Sequence, residues 1–261
     1  MCRVMPRGLG LVLTLSVVVV AVGGPRARGA AVFPGQSTVD GKTVGQWTSE
    51  WWKWAESFGP GPFSDTTGAR SNLNQGGPVY YLAGSGGNAG PITRNVTVGS
   101  DRKVLVPLIN WIVAAGADPG FADTRVEANA LATNTINPAN LFATIDGVAV
   151  PNLASHREES GALFTLDVVA NNDSGFPPGT YTDAYGDGYW LMLEPLSPGQ
   201  HTLHFGGTST PYNAGAFTID QFAIDVTVNL NVVPVPAAVW WGPVGAACAI
   251  AWRRRRLARR G

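Results

Sequence analysis

Cysteine is nearly absent from this 261-residue sequence. Its two cysteines, Cys2 and Cys248, stand close to the two ends, so residues 32–231 contain none. No disulfide can therefore brace the central part of the chain, and a zinc site built on thiolates is excluded there. An ordinary hydrophobic core must stabilise this part, and about 200 residues are enough to bury one.

Acidic residues are missing from both ends of the sequence. All 18 Asp and Glu residues lie between Asp40 and Asp225, whereas 10 of the 18 Lys and Arg residues lie outside that region. The central part therefore carries 8 basic and 18 acidic residues, a net charge of −10, although the whole chain is neutral. An acidic body has no electrostatic attraction for a phosphate backbone, so we expect no nucleic-acid partner.

Residues 1–31 have the pattern of a signal peptide. Arg3 and Arg7 precede an apolar stretch at residues 9–22, and the small residues at 29–31 provide a cleavage site. This pattern predicts export of the body, and a retained N-terminal anchor is the alternative.

The last segment, residues 232–261, combines a proline break, an apolar run and a basic end. Pro234 and Pro236 precede the 16-residue run at 237–252. At about 1.5 Å per residue, a helix of this length spans roughly 24 Å of a hydrocarbon core about 30 Å thick. The basic end favours the cytoplasmic side of a membrane, and its first residues are Arg253, Arg254, Arg255 and Arg256. We predict a C-terminal transmembrane segment; a buried helix packed on the body is the alternative.

This tail resembles the PEP-CTERM class of bacterial sorting signals, most closely the variant that starts Val-Pro-Leu-Pro-Ala. The matching residues are Val233, Pro234, Val235, Pro236 and Ala237. The resemblance implies recognition by exosortase, a membrane transpeptidase-like enzyme, followed by cleavage near the prolines and delivery to the cell surface or extracellular matrix. The sequence departs from the variant at Val235 and in the Gly- and Pro-rich centre of the apolar run. A tail that is never cut, leaving a permanently membrane-anchored protein, is the alternative.

Short strand patterns bounded by Gly and Pro fill most of the body. Asp146-Gly147 predicts a type I′ hairpin, and the loop at 195–199 predicts a second hairpin between residues 189–193 and 200–205. We predict one domain at 32–231, a mainly β, antiparallel sandwich of jelly-roll or Ig-like type with one N-terminal helix. The Asp146-Gly147 hairpin and the segment from residues 187–190 to 199–205 also resemble parts of uncharacterised exported bacterial proteins, and this likeness implies no activity.

Residues 43–58 show the strongest helix pattern in the sequence. Thr43 and Gln46 form a capping box, and apolar residues follow at helical spacing, namely Val44, Trp47, Trp51, Trp54, Ala55 and Phe58. We expect this amphipathic stripe to pack against a sheet. Trp52 lies off the stripe and is our candidate for stacking on the sugars of an exopolysaccharide.

Three carboxylates, Asp183, Asp187 and Glu194, form the clearest polar cluster in the sequence. Two carboxylates that flank a sugar catalyse glycoside hydrolysis, and carboxylates in loops also bind Ca²⁺. The alternative is that Asp183 and Asp187 shape a Gly-rich loop. His201 and His204 are three residues apart on a predicted strand, so they point to opposite faces and share no metal. We expect a non-catalytic protein without a cofactor; a carbohydrate-active enzyme is the alternative.

Overall fold

The computed structural model describes residues 31–87, 90–117, 123–213 and 218–235. These residues contain two α-helices, α1 (Val44–Ala55) and α2 (Thr124–Thr135). The strands, in chain order, are β1 Thr38–Val39, β2 Lys42–Thr43, β3 Val79–Tyr81, β4 Ile92–Gly99, β5 Lys103–Ala114, β6 Phe142–Ile145, β7 Val148–Ala149, β8 Arg157–Glu159, β9 Phe164–Val168, β10 Gly179–Leu193, β11 Gly199–Thr208, β12 Tyr212–Asn213, β13 Thr218–Ile219 and β14 Ala223–Val233. The prediction of a mainly β chain with an N-terminal helix is confirmed.

Two five-stranded sheets share one apolar core. The first has the order β3-β5-β10-β8, with β9 also paired to β10, and the second has the order β4-β14-β11-β6-β7. The buried core residues from the first sheet include Val104, Val106, Leu191 and Leu193, and those from the second include Leu203, Phe205, Val226, Val228 and Leu230. Removing this much apolar surface from water is the main stabilising contribution in a body without disulfides.

Two strand pairs correct the prediction of a purely antiparallel arrangement. β3 runs parallel to β5, and β4 runs parallel to β14. A parallel pair needs a long crossover between its strands. Between β3 and β5 the chain passes through β4, which belongs to the other sheet. Turn patterns in the sequence reveal only local hairpins, so they could not indicate these pairs.

One predicted hairpin is present and the other is not. Asp146 and Gly147 have φ values of 52° and 78° between β6 and β7, as a type I′ turn requires. The second prediction was wrong, because β10 and β11 lie in different sheets. Leu196, in the loop that joins them, is buried in the shared core. The loop therefore carries the chain from one sheet to the other.

Helix α1 packs its tryptophans against the first sheet, as predicted. The capping box is present, with Gln46 N–H donating to the Thr43 hydroxyl and Thr43 N–H donating to the Gln46 side chain. Trp51 meets Trp190 of β10 edge to face, with ring centroids 5.0 Å apart. Three indole N–H groups donate to backbone carbonyls: Trp47 donates to Val39, Trp51 to Leu82 and Trp54 to Leu73.

The helix ends at Ala55 rather than at Phe58. Glu56 caps it, and the Glu56 carbonyl accepts a hydrogen bond from the backbone N–H of Val169 instead of continuing the helical ladder. The second helix, α2, begins after Asp123, whose side chain caps it by accepting from two backbone N–H groups.

The Gly-rich loop predicted around Asp183 and Asp187 is instead the middle of the 15-residue strand β10. Gly186 and Gly188 fit there because other side chains occupy the space of their missing Cβ atoms. A Cβ on Gly186 would lie 3.0 Å from Trp52 Nε1, and one on Gly188 would lie 2.4 Å from Asn110 Cα. These glycines are therefore packing positions that bring α1 and β5 close to β10.

The predicted terminal segments lie almost entirely outside the described residues, which exclude 1–30 and 236–261. Strand β14 extends to Val233, two residues into the segment assigned to the tail. Pro234 and Val235 follow it, while Pro236, Ala237 and the arginine cluster lie outside the description. Within the described ranges, neither helix has the length and apolar character needed to cross a bilayer.

Replacing Gly188 with Ala in the full-length chain should destabilise the fold by about 1–3 kcal/mol, because the added methyl group overlaps the β5 backbone. Gly76→Ala is the matched control, since no atom lies within 4 Å of its added Cβ. Urea unfolding of both variants measures the difference. Equal stability of the two variants would contradict the packing of β10 described above.

Candidate functional site

An aromatic groove of about 620 Å³ lies beside α1 and β5. β3 pairs only with the first three residues of β5, and residues of β5 beyond this pairing line the groove. Six aromatic residues line it, namely Trp51, Trp52, Phe63, Trp111, Phe176 and Phe222. An apolar pocket of this size with a few polar groups is the usual form of a small-ligand site.

The six rings divide into a buried pair and four that are reachable from solvent. Trp51 and Trp52 are only 1% and 6% exposed, so they form the back of the groove. The half-buried rings are those of Phe63, Trp111, Phe176 and Phe222. The rings of Trp111 and Phe222 lie 5.5 Å apart, and the Trp111 indole donates to the Thr135 hydroxyl at 2.8 Å. These four rings, rather than the two tryptophans of α1, are therefore accessible to a ligand.

Trp52 differs from the other three tryptophans of α1. Among the described residues its Nε1 has no hydrogen-bond partner, although the side chain is buried. The atom lies beside Gly186 of β10, 3.0 Å from the position that a Cβ there would take. A buried N–H without a partner costs stability, so the position of Trp52 is not explained by hydrogen bonding of its indole.

Arg94 of β4 fixes two walls of the groove. Its buried guanidinium donates to the carbonyls of Pro62, Phe63, Asp65, Ala83 and Gly84. Burial lowers the pKa of Arg94 to about 10, so the group stays charged at neutral pH. Phe63 and Gly84 line the groove, and Arg94 therefore holds the loop that carries Phe63 against the segment after β3.

Glu56 fixes a third wall. Its side chain is 1% exposed; Oε2 accepts from the Ser174 hydroxyl at 3.1 Å, and Oε1 has no partner among the described residues. Burial, with a smaller contribution from Asp173, raises the pKa of Glu56 to about 7. Asp173, Ser174, and Phe176 line the groove, so this carboxyl lies directly behind the loop that forms one side of the groove.

The structure places Trp52 in the wall of the groove but does not bring the three predicted carboxylates together. Asp187 is fully buried and accepts two hydrogen bonds from Arg157, at 3.0 and 2.6 Å. Asp183 is exposed at the fifth residue of β10, and Glu194 is exposed directly after the last residue of the strand. Eleven residues of strand separate them by about 36 Å, whereas a glycosidase pair requires about 5–9.5 Å. None of the three lines the groove.

The histidines of β11 also lie apart, as predicted. His201 contacts Asp146 at 2.7 Å, and His204 contacts Asp225 at 2.9 Å. His201 is buried while its neighbour Thr202 is exposed, which shows the alternation of faces along the strand. In the described part of the chain, no group of three or more His, Cys, Asp or Glu side chains is placed to hold a metal ion.

Comparisons with protein-family models, with curated proteins and with solved structures find no match to this chain. Of the residues that line the groove, only Trp52 is among the predicted ligand-binding residues. Phe63, Phe176 and Phe222 are single aromatics beside loop residues, and Trp111 lies in a mostly apolar stretch directly after Asn110. Only their proximity in the folded structure marks them as groove residues. The one sequence signal that could have indicated them is the presence of aromatic residues in Gly- and Pro-rich loops.

Glu56→Gln should remove a pH-dependent loss of stability. Because the folded-state pKa of Glu56 lies above its ordinary value of 4.5, folding favours the protonated form. The contribution of protonated Glu56 to the free energy of unfolding is therefore fully present below pH 4.5 and is lost as the pH rises through 7. Well above pH 7 the variant should be more stable than the wild type by on the order of 3 kcal/mol.

Thermal unfolding of the full-length chain across this pH range measures the effect. Glu194→Gln, which changes an exposed carboxylate outside the groove, serves as the control and should follow the wild type. Parallel stability curves for Glu56→Gln and the wild type would show that Glu56 does not titrate as described.

Proposed function

We propose that this chain is a non-catalytic, exported protein of the cell surface or extracellular matrix. Its body, residues 32–231, is a β-sandwich that binds exopolysaccharide in the aromatic groove. Its C-terminal segment, residues 232–261, is a membrane-spanning sorting signal processed by an exosortase-type enzyme. The groove with its four half-buried rings is the observation that carries the binding role.

Binding to sugars is supported by the shape and chemistry of the groove. Flat rings cover the apolar faces of sugars, and the groove offers several such rings beside polar groups of Asn110, Asp173 and Ser174. Asp173 is the single carboxylate among the described lining residues. Hydrolysis of a glycosidic bond ordinarily needs two carboxylates across the bond, so the arrangement favours binding over cleavage.

Export is supported by the distribution of charge and by the order of segments in the sequence. The acidic, cysteine-free body lies between an N-terminal signal-like segment and a tail with prolines, an apolar run and arginines. The shared core of two five-stranded sheets supports a sandwich. Pro234, the first proline of the tail, directly follows β14 and is exposed, although Val235 after it still donates its N–H to the Ser100 hydroxyl; access of a processing enzyme to this proline is part of the proposal.

A combined Pro234→Ala and Pro236→Ala variant tests the sorting role in cells of the producing organism. We expect the wild type to reach the surface as a shortened protein, whose mass gives both cleavage sites, and the variant to remain full-length in the membrane. Pro151→Ala, at an exposed proline of the body, is the control. If the wild type also stays full-length in the inner membrane while the sorting enzyme is active, the tail is a permanent anchor instead.

Phe222→Ala tests the binding role by co-sedimentation of the full-length chain with the organism's own exopolysaccharide. Loss of an aromatic contact should weaken binding about tenfold, since truncating such an anchor costs on the order of 1–2 kcal/mol. Val148→Ala shortens an exposed apolar residue in the β6–β7 hairpin and should bind like the wild type. Unchanged binding by Phe222→Ala would contradict binding in the groove. Release of sugars from the polymer would contradict a non-catalytic role.

A further inference from the structure

The lining of the aromatic groove has one negative charge and no positive one. Asp173 is half-buried on its wall, and none of the described lining residues is Lys, Arg or His. The segments 88–89, 118–122 and 214–217, which adjoin lining residues in the sequence, contain no basic residue either. The body as a whole carries a net charge of −10. The charge of the lining and the net charge of the body therefore both favour a cationic ligand over an anionic one.

Arg70 donates to the Ser64 hydroxyl at 3.0 Å beside this wall but does not line the groove. Arg94 is also close to the wall, and its charge is engaged elsewhere. Its guanidinium is buried and donates to backbone carbonyls of the two wall segments. Asp65 and Asp173 both stabilise its charged form. Arg94 is not among the residues that line the groove, so it cannot supply an anion-binding contact there.

The position of Asp173 fits it to receive a cation. Asp173 Oδ2 accepts the backbone N–H of Ser64 at 2.9 Å, which fixes the carboxylate relative to the loop of Phe63. No hydrogen bond to Asp173 Oδ1 is found among the described residues. Phe176 lies on the same loop, and Phe222 and Trp111 are also half-buried in the groove. Aromatic faces beside a carboxylate are the arrangement that recognises organic ammonium groups.

We propose that the aromatic groove selects a cationic sugar unit, an amino sugar whose free ammonium group contacts Asp173 while its apolar face lies on the aromatic rings. This inference rests on the proposed polysaccharide-binding function and names the class of polymer, one with free amino groups rather than a neutral or anionic one. The recognised chemistry is an organic ammonium on an apolar frame, which free quaternary ammonium compounds share.

The test compares a tetramer of glucosamine with a tetramer of N-acetylglucosamine, which have the same backbone but differ in charge. Binding to the full-length chain in mildly acidic buffer is followed by calorimetry. We expect the glucosamine tetramer to bind at least about tenfold more tightly, the difference that one cation–π contact and one ion pair supply. Asp173→Asn, which keeps an acceptor for the Ser64 N–H, should abolish this preference. Asp183→Asn removes the same charge outside the groove and should preserve it.

Each outcome separates this inference from the function on which it rests. If both tetramers bind with equal affinity and Phe222→Ala abolishes the binding of both, cation selection is overturned but polysaccharide binding stands. Binding of neither tetramer, together with no retention of the organism's polymer, would overturn both. Tetramethylammonium should compete with the glucosamine tetramer; if it binds and the tetramer does not, the ligand is a free ammonium compound and the amino-sugar assignment fails. A thermal unfolding curve for Asp173→Asn that matches the wild type shows that the fold is intact.

Discussion

The buried guanidinium of Arg94 is the interaction on which the groove depends. It reaches from β4 of one sheet to the carbonyls of two segments that pack beside the other sheet. A buried carbonyl without a donor costs about 1–3 kcal/mol, so a single side chain satisfies groups that would otherwise oppose folding. Asp65 offsets the charge, and its carboxylate is held by the backbone N–H groups of Thr67, Gly68 and Arg70. The loop that carries Phe63 is thus folded around the guanidinium of Arg94, which does not line the groove.

A buried polar group also fixes another wall of the groove, in a segment that carries a half-buried aromatic ring. Glu56 at the end of α1 holds the loop of Asp173 and Phe176. Away from the groove, buried Asp187 of β10 pairs with half-buried Arg157 of β8, which also donates to the Thr133 hydroxyl of α2. Rigid placement of rings before a ligand arrives lowers the entropy lost on binding. The proposed sugar-binding role therefore rests on a frame of buried polar contacts rather than on flexible loops.

The sequence predicts what depends on neighbouring residues. The capping box of Thr43 and Gln46 and the turn at Asp146-Gly147 are confirmed. Both depend only on hydrogen bonds and backbone angles within a few consecutive residues. The sequence pattern predicts a loop at Gly186 and Gly188, where the structure has a strand, because the residues packed against these glycines, Trp52 and Asn110, are more than seventy residues away in the chain. The crossing between sheets at Leu196 and the gathering of Phe63, Trp111 and Phe222 likewise depend on distant contacts. The candidate site was therefore predictable only at Trp52.

Hydrogen–deuterium exchange of the full-length chain, with and without the organism's exopolysaccharide, tests most directly that the groove is the binding surface. Slower exchange is predicted in the polysaccharide-bound state at the segments that line the groove, residues 63–64, 84–86, 110–113 and 173–176. The β6–β7 hairpin of the second sheet should exchange at the same rate in both states. Protection confined to that hairpin or to β11, with the groove segments unchanged, would contradict the account.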